Sequence, residues 1–337
     1  MHPQLLPMAN TEVIESGVLA PGAELGSYRI VELIGEGGMG NVYKAEHIKL
    51  GRKVALKTLH RDFVGHGESV SRFFAEARAA NEIENENIIE VTDLLQDEES
   101  GMVYFVMELL RGTDLRHEIT KVGAMPLERC LRVAVQVASA LHAAHDVGIV
   151  HRDLKPENIF LTERAGQKDF VKILDFGIAK LMEGRPGKKD KRDSKVHKTA
   201  PGVLLGTPEY TSPEQATGRA VDYRSDIYSL GVILYEMVAG RLPFVSDHAG
   251  ELLVMHATEE PRRPTKLTGP IQRVPADLEA LIMRCLDKNR DKRPQSMKDV
   301  QESLETMAEE RSWTLESFAP PPRRTRRGLW LALAAVA

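Results

Sequence analysis

Cysteine is scarce in this chain of 337 residues, and neither sign of charge is in large excess. Cys130 and Cys285 lie far apart and form no CxxC motif, so neither a disulfide framework nor a zinc site is expected. This cysteine usage favours a reducing, intracellular setting. The 45 Lys and Arg residues nearly balance the 49 Asp and Glu residues. The net charge of −4 argues against nucleic-acid binding over the whole surface.

The N-terminus lacks the pattern of a signal peptide. Its sequence, "MHPQLLPMANTEVIESG", has no basic region followed by an apolar run. We therefore interpret residues 1–27 as a short flexible leader. The overall composition, 42% hydrophobic and 28% charged residues, is ordinary for a soluble globular protein, and the chain is long enough to bury a substantial core.

The pattern of apolar residues changes once along the chain, near Arg111. Residues 28–110 contain the strand-like runs "YRIVELI", "NVYKAEHI", "KVALKTL" and "MVYFVMELL", with one helical stretch, "SVSRFFAEARAANEI". Residues 111–307 are mainly helical, and "SDIYSLGVILYEMVAG" is apolar on nearly every face, which is typical of a helix inside a large domain. The sequence therefore predicts an α+β protein with a small β-rich lobe and a larger helical lobe.

Three segments fall outside this periodic pattern. Residues 183–198, "EGRPGKKDKRDSKVHK", are basic and aperiodic, which predicts a mobile loop. Residues 308–327 contain "APPPRR", a linker signal, and residues 328–337 form an uncharged apolar tail. We expect the fold to be complete by about Met307.

The first motif with chemical content is "GEGGMGNV", in which Gly35, Gly37 and Gly40 have the spacing GxGxxG. A plain glycine turn is an open alternative. A dinucleotide site would need the third glycine to begin a helix, whereas "NVYKAEHI" continues as a strand. A strand–loop–strand hairpin suits a flap over phosphates, because backbone N–H groups can approach closely where side chains are missing.

Lys57, in "VALK", lies on the next predicted strand and would face the same cleft. A single lysine on a strand is otherwise best interpreted as a solvated charge. Glu76, in the helix "RFFAEARAA", is its natural partner. An ion pair between them would hold Lys57 towards the α- and β-phosphates of a nucleotide.

The motif "HRDLKPEN" is more specific. A hydroxyl nucleophile needs a carboxylate to orient it, the γ-phosphate needs a nearby cation, and a metal needs an oxygen ligand. Asp153, Lys155 and Asn158 would fill these three roles in turn. The "DFG" motif that begins at Asp175, 22 residues after Asp153, supplies the carboxylate that Mg²⁺ prefers.

Taken in order, GxGxxGxV, VALK, the helix Glu, HRDLKPEN, DFG, "GTPEYTSPE", "SDIYSLG" and "KRP" resemble the eukaryotic-type (Hanks-type) protein kinases over residues 28–307. This resemblance implies a two-lobed kinase fold, with residues 28–110 as the N-lobe and 111–307 as the C-lobe. It implies Mg-ATP as cofactor, with Mn²⁺ as an alternative metal, and proteins as substrates.

The resemblance also implies roles for single residues. Asp153 would be the catalytic base, aided by Lys155, and Asn158 and Asp175 would be the metal ligands. The residues implied to bind ATP are Ile34, Gly35, Glu36, Gly37, Gly38, Met39, Gly40, Val42, Ala55, Lys57, Glu76, Met107, Glu108, Leu110 and Phe160.

Within that set, Glu108 to Leu110 would form the hinge whose backbone binds adenine, with Met107 as the gatekeeper. Ala55, Val42 and Phe160 would sandwich the base. Away from ATP, Glu214 and Arg293 would form a buried ion pair. Asp226 would brace the catalytic loop.

Lys155 and "GTPEY" resemble the serine/threonine branch of the family, in which Thr207 would contact Asp153 and Lys155 and help to select a hydroxyl substrate. The run "YSLGVILYEMVAGRLPF" is most similar to the bacterial, receptor-like group.

Ser212 stands where the family usually has Ala, and because Glu214 carries the ion pair we expect little effect. The basic insert makes the stretch from Asp175 to Glu214 longer than usual, which leaves the alignment of its phosphorylation site open.

Arg152, before the catalytic Asp, implies regulation by a phosphate on the activation loop, bound by Arg152 and Lys180. Thr199 is the first candidate acceptor and Ser194 the second. We predict autophosphorylation between residues 190 and 200, with a dimer acting in trans. The alternatives are that both hydroxyls are simply solvated and that the basic run is a docking patch.

Two other functions compete with an active protein kinase. A pseudokinase would keep the fold for scaffolding, but such proteins commonly lose residues equivalent to Lys57, Asp153 or Asp175, all present here. A small-molecule phosphotransferase could share the fold, but "GTPEYTSPE" resembles a peptide-binding platform that those enzymes lack.

The last fifteen residues, "RRTRRGLWLALAAVA", raise the question of membrane attachment. Ten helical residues rise about 15 Å, roughly half the hydrocarbon thickness, so this piece does not span a bilayer alone. A Pro-rich linker, four arginines and Trp330 beside an apolar run resemble the juxtamembrane region of receptor-type bacterial kinases. We therefore expect a kinase domain on the cytoplasmic side of the cell membrane, with a single-pass helix beginning here. A soluble kinase with an apolar tail is the alternative.

Overall fold

A computed structural model of the chain describes residues 18–98, 100–176, 207–267, 273–313 and 315. These residues form two lobes, as the sequence predicts. The smaller lobe is built on an antiparallel sheet and the larger lobe is mainly helical.

The small lobe contains a six-stranded antiparallel sheet in the order β1-β2-β3-β4-β6-β5. Its strands are β1 (Glu24–Leu25), β2 (Tyr28–Glu36), β3 (Gly40–His47), β4 (Lys53–Leu59), β5 (Val91–Gln96) and β6 (Val103–Glu108). A short helix α1 (Arg61–Val64) leads into helix α2 (Gly67–Glu82), which packs against β5 and β6. Buried alanines and Phe73 form the packed face of α2, and this face sets the position of the helix beside the cleft.

Residues 18–27 belong to the small lobe, and this differs from the predicted leader. Leu19 and Leu25 are buried against the outer side of the sheet. The backbone N–H of Leu19 donates to the Tyr43 hydroxyl, and β1 pairs with β2. The leader prediction was wrong over this part because the segment is short and aperiodic, so its partners are fixed only by the folded sheet.

The large lobe is organised around a helix that is buried along its length. Its helices are α3 (Leu115–Val122), α4 (Leu127–Asp146), α5 (Pro213–Ala216), α6 (Arg224–Ala239), α7 (Ala249–Thr258), α8 (Ala276–Cys285) and α9 (Met297–Glu310). Every residue of α6 after Arg224 is buried, which confirms the prediction of an interior helix. A Cβ on Gly231 would lie 2.6 Å from the Cβ of Cys285, so glycine allows α6 and α8 to pack closely.

A second, three-stranded sheet lies where the lobes meet. It contains β7 (Gly112–Asp114), β8 (Ile159–Arg164) and β9 (Gln167–Ile173) in that order. The loop before β8 carries the "HRDLKPEN" motif, and β9 leads directly to Asp175. Because β8 and β9 are paired, the sheet places the "HRDLKPEN" loop beside Asp175.

The C-terminal end of the large lobe lies slightly beyond the predicted boundary at Met307. Helix α9 continues to Glu310, Ala308 is fully buried and Arg311 pairs with Asp277 at 2.8 Å. The described helices include none that is long and apolar enough to cross a membrane, and the apolar tail lies outside the described residues.

Candidate active site

A cleft of about 690 Å³ lies between the lobes, within the size range of small-molecule sites. It is lined by all fifteen residues that the sequence predicts around ATP, and also by the motif residues Asp153, Lys155, Asn158 and Asp175. Residues separated by up to 141 positions are thus brought into one cavity.

The glycine-rich segment forms the hairpin between β2 and β3, with Glu36 opposite Asn41 in the register. At its tip the Gly37 N–H donates to the Gly40 carbonyl oxygen at 2.9 Å. A Cβ on Gly40 would lie 1.8 Å from the Thr58 carbonyl oxygen, so no other residue fits without moving β4. The strand–loop–strand arrangement, rather than a loop leading into a helix, is the one predicted from the sequence.

Lys57 lies between two carboxylates. Its Nζ is 2.9 Å from Glu76 Oε1 and 2.7 Å from Asp175 Oδ1, so the predicted ion pair with Glu76 is present. Lys57 and Glu76 are mostly buried, whereas the Asp175 side chain is half-exposed. The Lys57–Asp175 contact joins the strand β4 to the segment after β9 and so links the two lobes.

The pKa values of Glu76 and Asp175 depend on the single ammonium group of Lys57, which contacts both carboxylates. Burial raises the pKa of Glu76 to about 7, despite the nearby Lys57 charge. Burial also acts on Asp175, but the charge and hydrogen bond of Lys57 outweigh it and hold its pKa below the usual value. The ionised carboxylate of Asp175, together with the amide of Asn158 in the same cleft, offers oxygen atoms that fit a divalent cation such as Mg²⁺.

The loop from His151 to Asn158 holds the proposed catalytic residues. Lys155 Nζ lies 3.6 Å from Asp153 Oδ2 and donates to Thr207 Oγ1 at 3.2 Å. The Asn158 amide nitrogen donates to the Asp153 carbonyl oxygen at 2.9 Å, which leaves the amide oxygen as the atom suited to a metal. The loop therefore presents a carboxylate, an ammonium and an amide to one cavity.

Asp226, on the buried helix α6, holds this loop by its backbone. Its carboxylate accepts hydrogen bonds from the N–H groups of His151 and Arg152 at 2.8 and 2.9 Å. Arg152 has a φ of 64°, a conformation that non-glycine residues rarely adopt. The two charge-assisted hydrogen bonds stabilise that backbone, as the sequence predicts for Asp226.

The buried ion pair expected between Glu214 and Arg293 is also present. Arg293 Nη1 and Nη2 donate to Glu214 Oε1 and Oε2, each at 2.8 Å, in the bidentate geometry of a strong pair. Ser225 on α6 donates to the same carboxylate. Ser212, which departs from the usual Ala, caps α5 through the N–H of Gln215, so the departure adds a capping interaction.

Several contacts at the site are long-range and could not be identified from the sequence. Gln215 Nε2 donates to the Arg152 carbonyl oxygen at 2.8 Å, and His145 Nε2 lies 2.8 Å from Asp226 Oδ2. Lys172 Nζ pairs with Glu108 Oε1 at 2.5 Å, behind the predicted hinge. The cleft lining also includes Phe73, Phe105 and Leu174, whose strand or helix positions indicate only burial.

Three predicted regulatory residues, Lys180, Ser194 and Thr199, lie outside the described residues, as does the basic insert. Arg152 and Thr207 are described. The Arg152 Nε is buried and has no hydrogen-bond partner among the residues that the structure describes.

Comparison with known proteins gives consistent results. Serine/threonine-protein kinase pkn3 of Myxococcus xanthus is 43% identical over 284 residues, covering 84% of this chain and 50% of that protein. Serine/threonine-protein kinase Pkn1 of the same organism is 42% identical over 306 residues, covering 90% and 41%. The chain thus spans half or less of the length of these relatives.

Among solved structures, the PknI kinase domain of Mycobacterium tuberculosis matches with a TM-score of 0.63 and 24% identity, covering 86% of this chain and all of that one. This likeness shows the fold: a protein kinase fold with a sheet-based small lobe and a helical large lobe. The sequence model of the protein kinase domain matches residues 28–304. The chain belongs to the protein kinase domain family.

Proposed function

We propose that this chain is a serine/threonine protein kinase that transfers the γ-phosphate of Mg-ATP to protein hydroxyls. The observation that carries the proposal is the convergence of Lys57, Asp153, Asn158 and Asp175 on one cleft, which also contains the glycine hairpin. The family relationship and the printed names of the relatives support the same reaction class.

In this proposal Asp153 orients the substrate hydroxyl and accepts its proton late in the transfer. Lys155, 3.6 Å from Asp153, supplies positive charge beside the transferred phosphoryl group. Lys57 holds the α- and β-phosphates, and Glu76 fixes the position of Lys57. Asn158 and Asp175 would hold Mg²⁺, which when bound neutralises charge on the phosphate oxygens.

Thr207 is proposed to favour hydroxyl substrates through its contact with Lys155. The hydrogen bond from Lys155 Nζ to Thr207 Oγ1 connects the catalytic loop to the start of the "TPEY" segment. A substrate peptide bound along that segment would bring its hydroxyl towards Asp153 and Lys155.

The direct test is incubation with γ-labelled ATP, Mg²⁺ and a generic basic protein, beside an Asp153→Asn variant. We expect labelling of both proteins with the unchanged enzyme and loss of labelling with the variant. No labelling by the unchanged enzyme would favour a pseudokinase. Equal labelling by the variant would remove Asp153 as the catalytic base.

We propose further that phosphorylation between residues 190 and 200 activates the enzyme. The buried Arg152 Nε, which lacks a described partner, supports a role for Arg152 in binding a phosphate. Thr199 and Ser194 are the proposed acceptors, Lys180 the second basic ligand, and a dimer acting in trans the proposed route. Phosphopeptide mapping tests this, and a fully active enzyme with no phosphate in this region would contradict it.

We also propose attachment to the cell membrane through residues 323–337, with the kinase domain in the cytoplasm. The support is the sequence order of four arginines, Trp330 and an apolar run. The coding sequence beyond Ala337 tests the proposal, because a spanning helix needs the apolar run to continue there. A stop codon at that point, with the protein fully soluble in cells, would contradict it.

A further inference from the structure

His60 makes contacts to the glycine hairpin that the kinase motifs do not include. It follows directly after β4, and its ring Nε2 lies 2.9 Å from the carbonyl oxygen of Gly37. A carbonyl oxygen can only accept, so Nε2 carries the hydrogen and donates. The backbone N–H of the same residue donates to the Met39 carbonyl oxygen, also at 2.9 Å.

The hairpin tip is therefore attached to the end of β4 at three points. Gly40 packs against the Thr58 carbonyl oxygen, and Met39 accepts the His60 N–H. These two contacts involve backbone atoms of the sheet. The third, from the His60 ring to Gly37, is made by a side chain and reaches the first residue after the paired Glu36.

The Gly37 carbonyl oxygen also accepts the Gly40 N–H at 3.3 Å, while the Gly37 N–H donates to Gly40. The ring of His60 thus adds a second donor to a carbonyl whose other contact is long. Gly38 has no heavy atom within 4 Å of where its Cβ would lie, whereas the half-buried Met39 packs against the hydrophobic core. The exposed Gly37 and Gly38 therefore rely on these hydrogen bonds for their conformation.

We propose that His60 is a positioning residue that holds the glycine hairpin in the conformation that covers nucleotide phosphates. The inference rests on the proposed function, because it assumes that the hairpin covers phosphates. Loss of the ring donor would let the tip at Gly37 move away, and the backbone N–H groups would be less well placed for phosphate oxygens. The adenine end of the site would be unaffected.

The test compares equilibrium binding of MgADP and adenosine, by calorimetry, to the full chain and to His60→Phe. Phenylalanine keeps a ring of similar size but cannot donate. We expect MgADP to bind about fivefold more weakly, the effect of losing roughly one hydrogen bond, and adenosine to bind unchanged. Binding does not require phosphoryl transfer, so this result is independent of whether the enzyme phosphorylates proteins.

Two further variants make the test specific. His60→Gln places an N–H donor the same number of bonds from Cα, and it should restore MgADP binding. His66→Phe, at an exposed histidine whose side chain does not cap helix α2, should bind both ligands as the unchanged protein does. Unchanged MgADP binding by His60→Phe, or equal weakening for adenosine, would overturn the proposal.

Hydrogen exchange gives a second readout that needs no ligand. In His60→Phe the amide of Gly40, which donates to Gly37, should exchange faster, while amides in β6 should not change. Should His60→Phe fold poorly, the same comparison applies to His60→Asn, whose donor is one bond shorter. Equal exchange at Gly40 in the variant and the unchanged protein would contradict the proposed role.

Discussion

Lys57 is a single side chain whose charge is balanced by two carboxylates of the cleft. It contacts Glu76 from the small lobe and Asp175 from the segment after β9, and its charge is shared between them. The charges of both carboxylates hold the pKa of Lys57 above its usual value, although burial alone would lower it. The lysine therefore remains cationic, as the proposed binding of phosphates requires.

Glu76→Gln should lower kcat/KM for ATP about tenfold, or roughly 1.4 kcal/mol, because an uncharged partner holds Lys57 less firmly. Steady-state kinetics at varied ATP concentration measure this. Glu68→Gln on the same helix is the matched control, since Glu68 is an exposed residue that pairs with Arg72 rather than with Lys57. Equal kinetics for the two variants would show that Glu76 does not position Lys57.

At the scale of elements, the pair Glu214–Arg293 joins helix α5 to the segment before α9. Arg293→Met should lower the free energy of unfolding by about 3 to 5 kcal/mol, because it leaves the Glu214 carboxylate buried without its cation. Urea denaturation measures this. Arg290→Met, which removes an exposed pair with Asp222, should cost less than about 1 kcal/mol. Similar losses for both would contradict a structural role for the buried pair.

The segment 18–27 is the second element whose effect can be measured. A chain beginning at Tyr28 loses the buried side chains of Leu19 and Leu25 and the pairing of β1 with β2. At about 1.5 to 3 kcal/mol for each buried leucine, its free energy of unfolding should be about 3 to 6 kcal/mol lower than that of a chain beginning at Val18. Denaturant titration of the two chains decides the point. Equal midpoints would mean that this packing adds no stability.

Elements with strong local signals could be predicted from the sequence. The strand-like runs of β3 and β4, the helical spacing of apolar residues in α2 and the apolar surface of α6 each indicate an element. Segment 18–27 could not be predicted, because a two-residue strand has no period. Its place depends on Tyr43 and on the free edge of β2.

At the scale of the whole molecule, a buried histidine links stability to pH. His256 is fully buried, and burial together with the Lys288 charge lowers its pKa to about 4. An unfolded histidine has a pKa of about 6.5, so between these values the unfolded chain binds a proton that the folded chain does not. The free energy of unfolding should therefore fall as the pH is lowered from about 7 to 4.

The expected slope from this group is at most about 1.4 kcal/mol per pH unit, and it disappears above pH 7. Urea denaturation at a series of pH values measures it. His256→Gln should flatten the slope, whereas the exposed His66→Gln should leave it unchanged. Identical slopes for His256→Gln and the unchanged protein would exclude His256 as the source.

The motif residues of the site could be predicted because each lies in a short run with a specific composition. Their supports could not. Gln215 reaches Arg152 across 63 positions, and Lys172 reaches Glu108 across 64, with no local pattern that indicates either contact. Such contacts arise only when distant parts of the chain have folded together.

Helix α6 has a consequence for how activity appears during folding. Asp226 fixes the catalytic loop, Ser225 contacts Glu214, Ser229 donates to the Tyr210 carbonyl oxygen, and Glu236 accepts from Arg116. Each of these contacts attaches a different segment to the single helix α6. In the proposed function, a chain in which α6 has not yet docked would lack the hydrogen bonds that support the left-handed turn at Arg152, and we expect it to be inactive rather than weakly active. Recovered turnover would then count only fully assembled molecules.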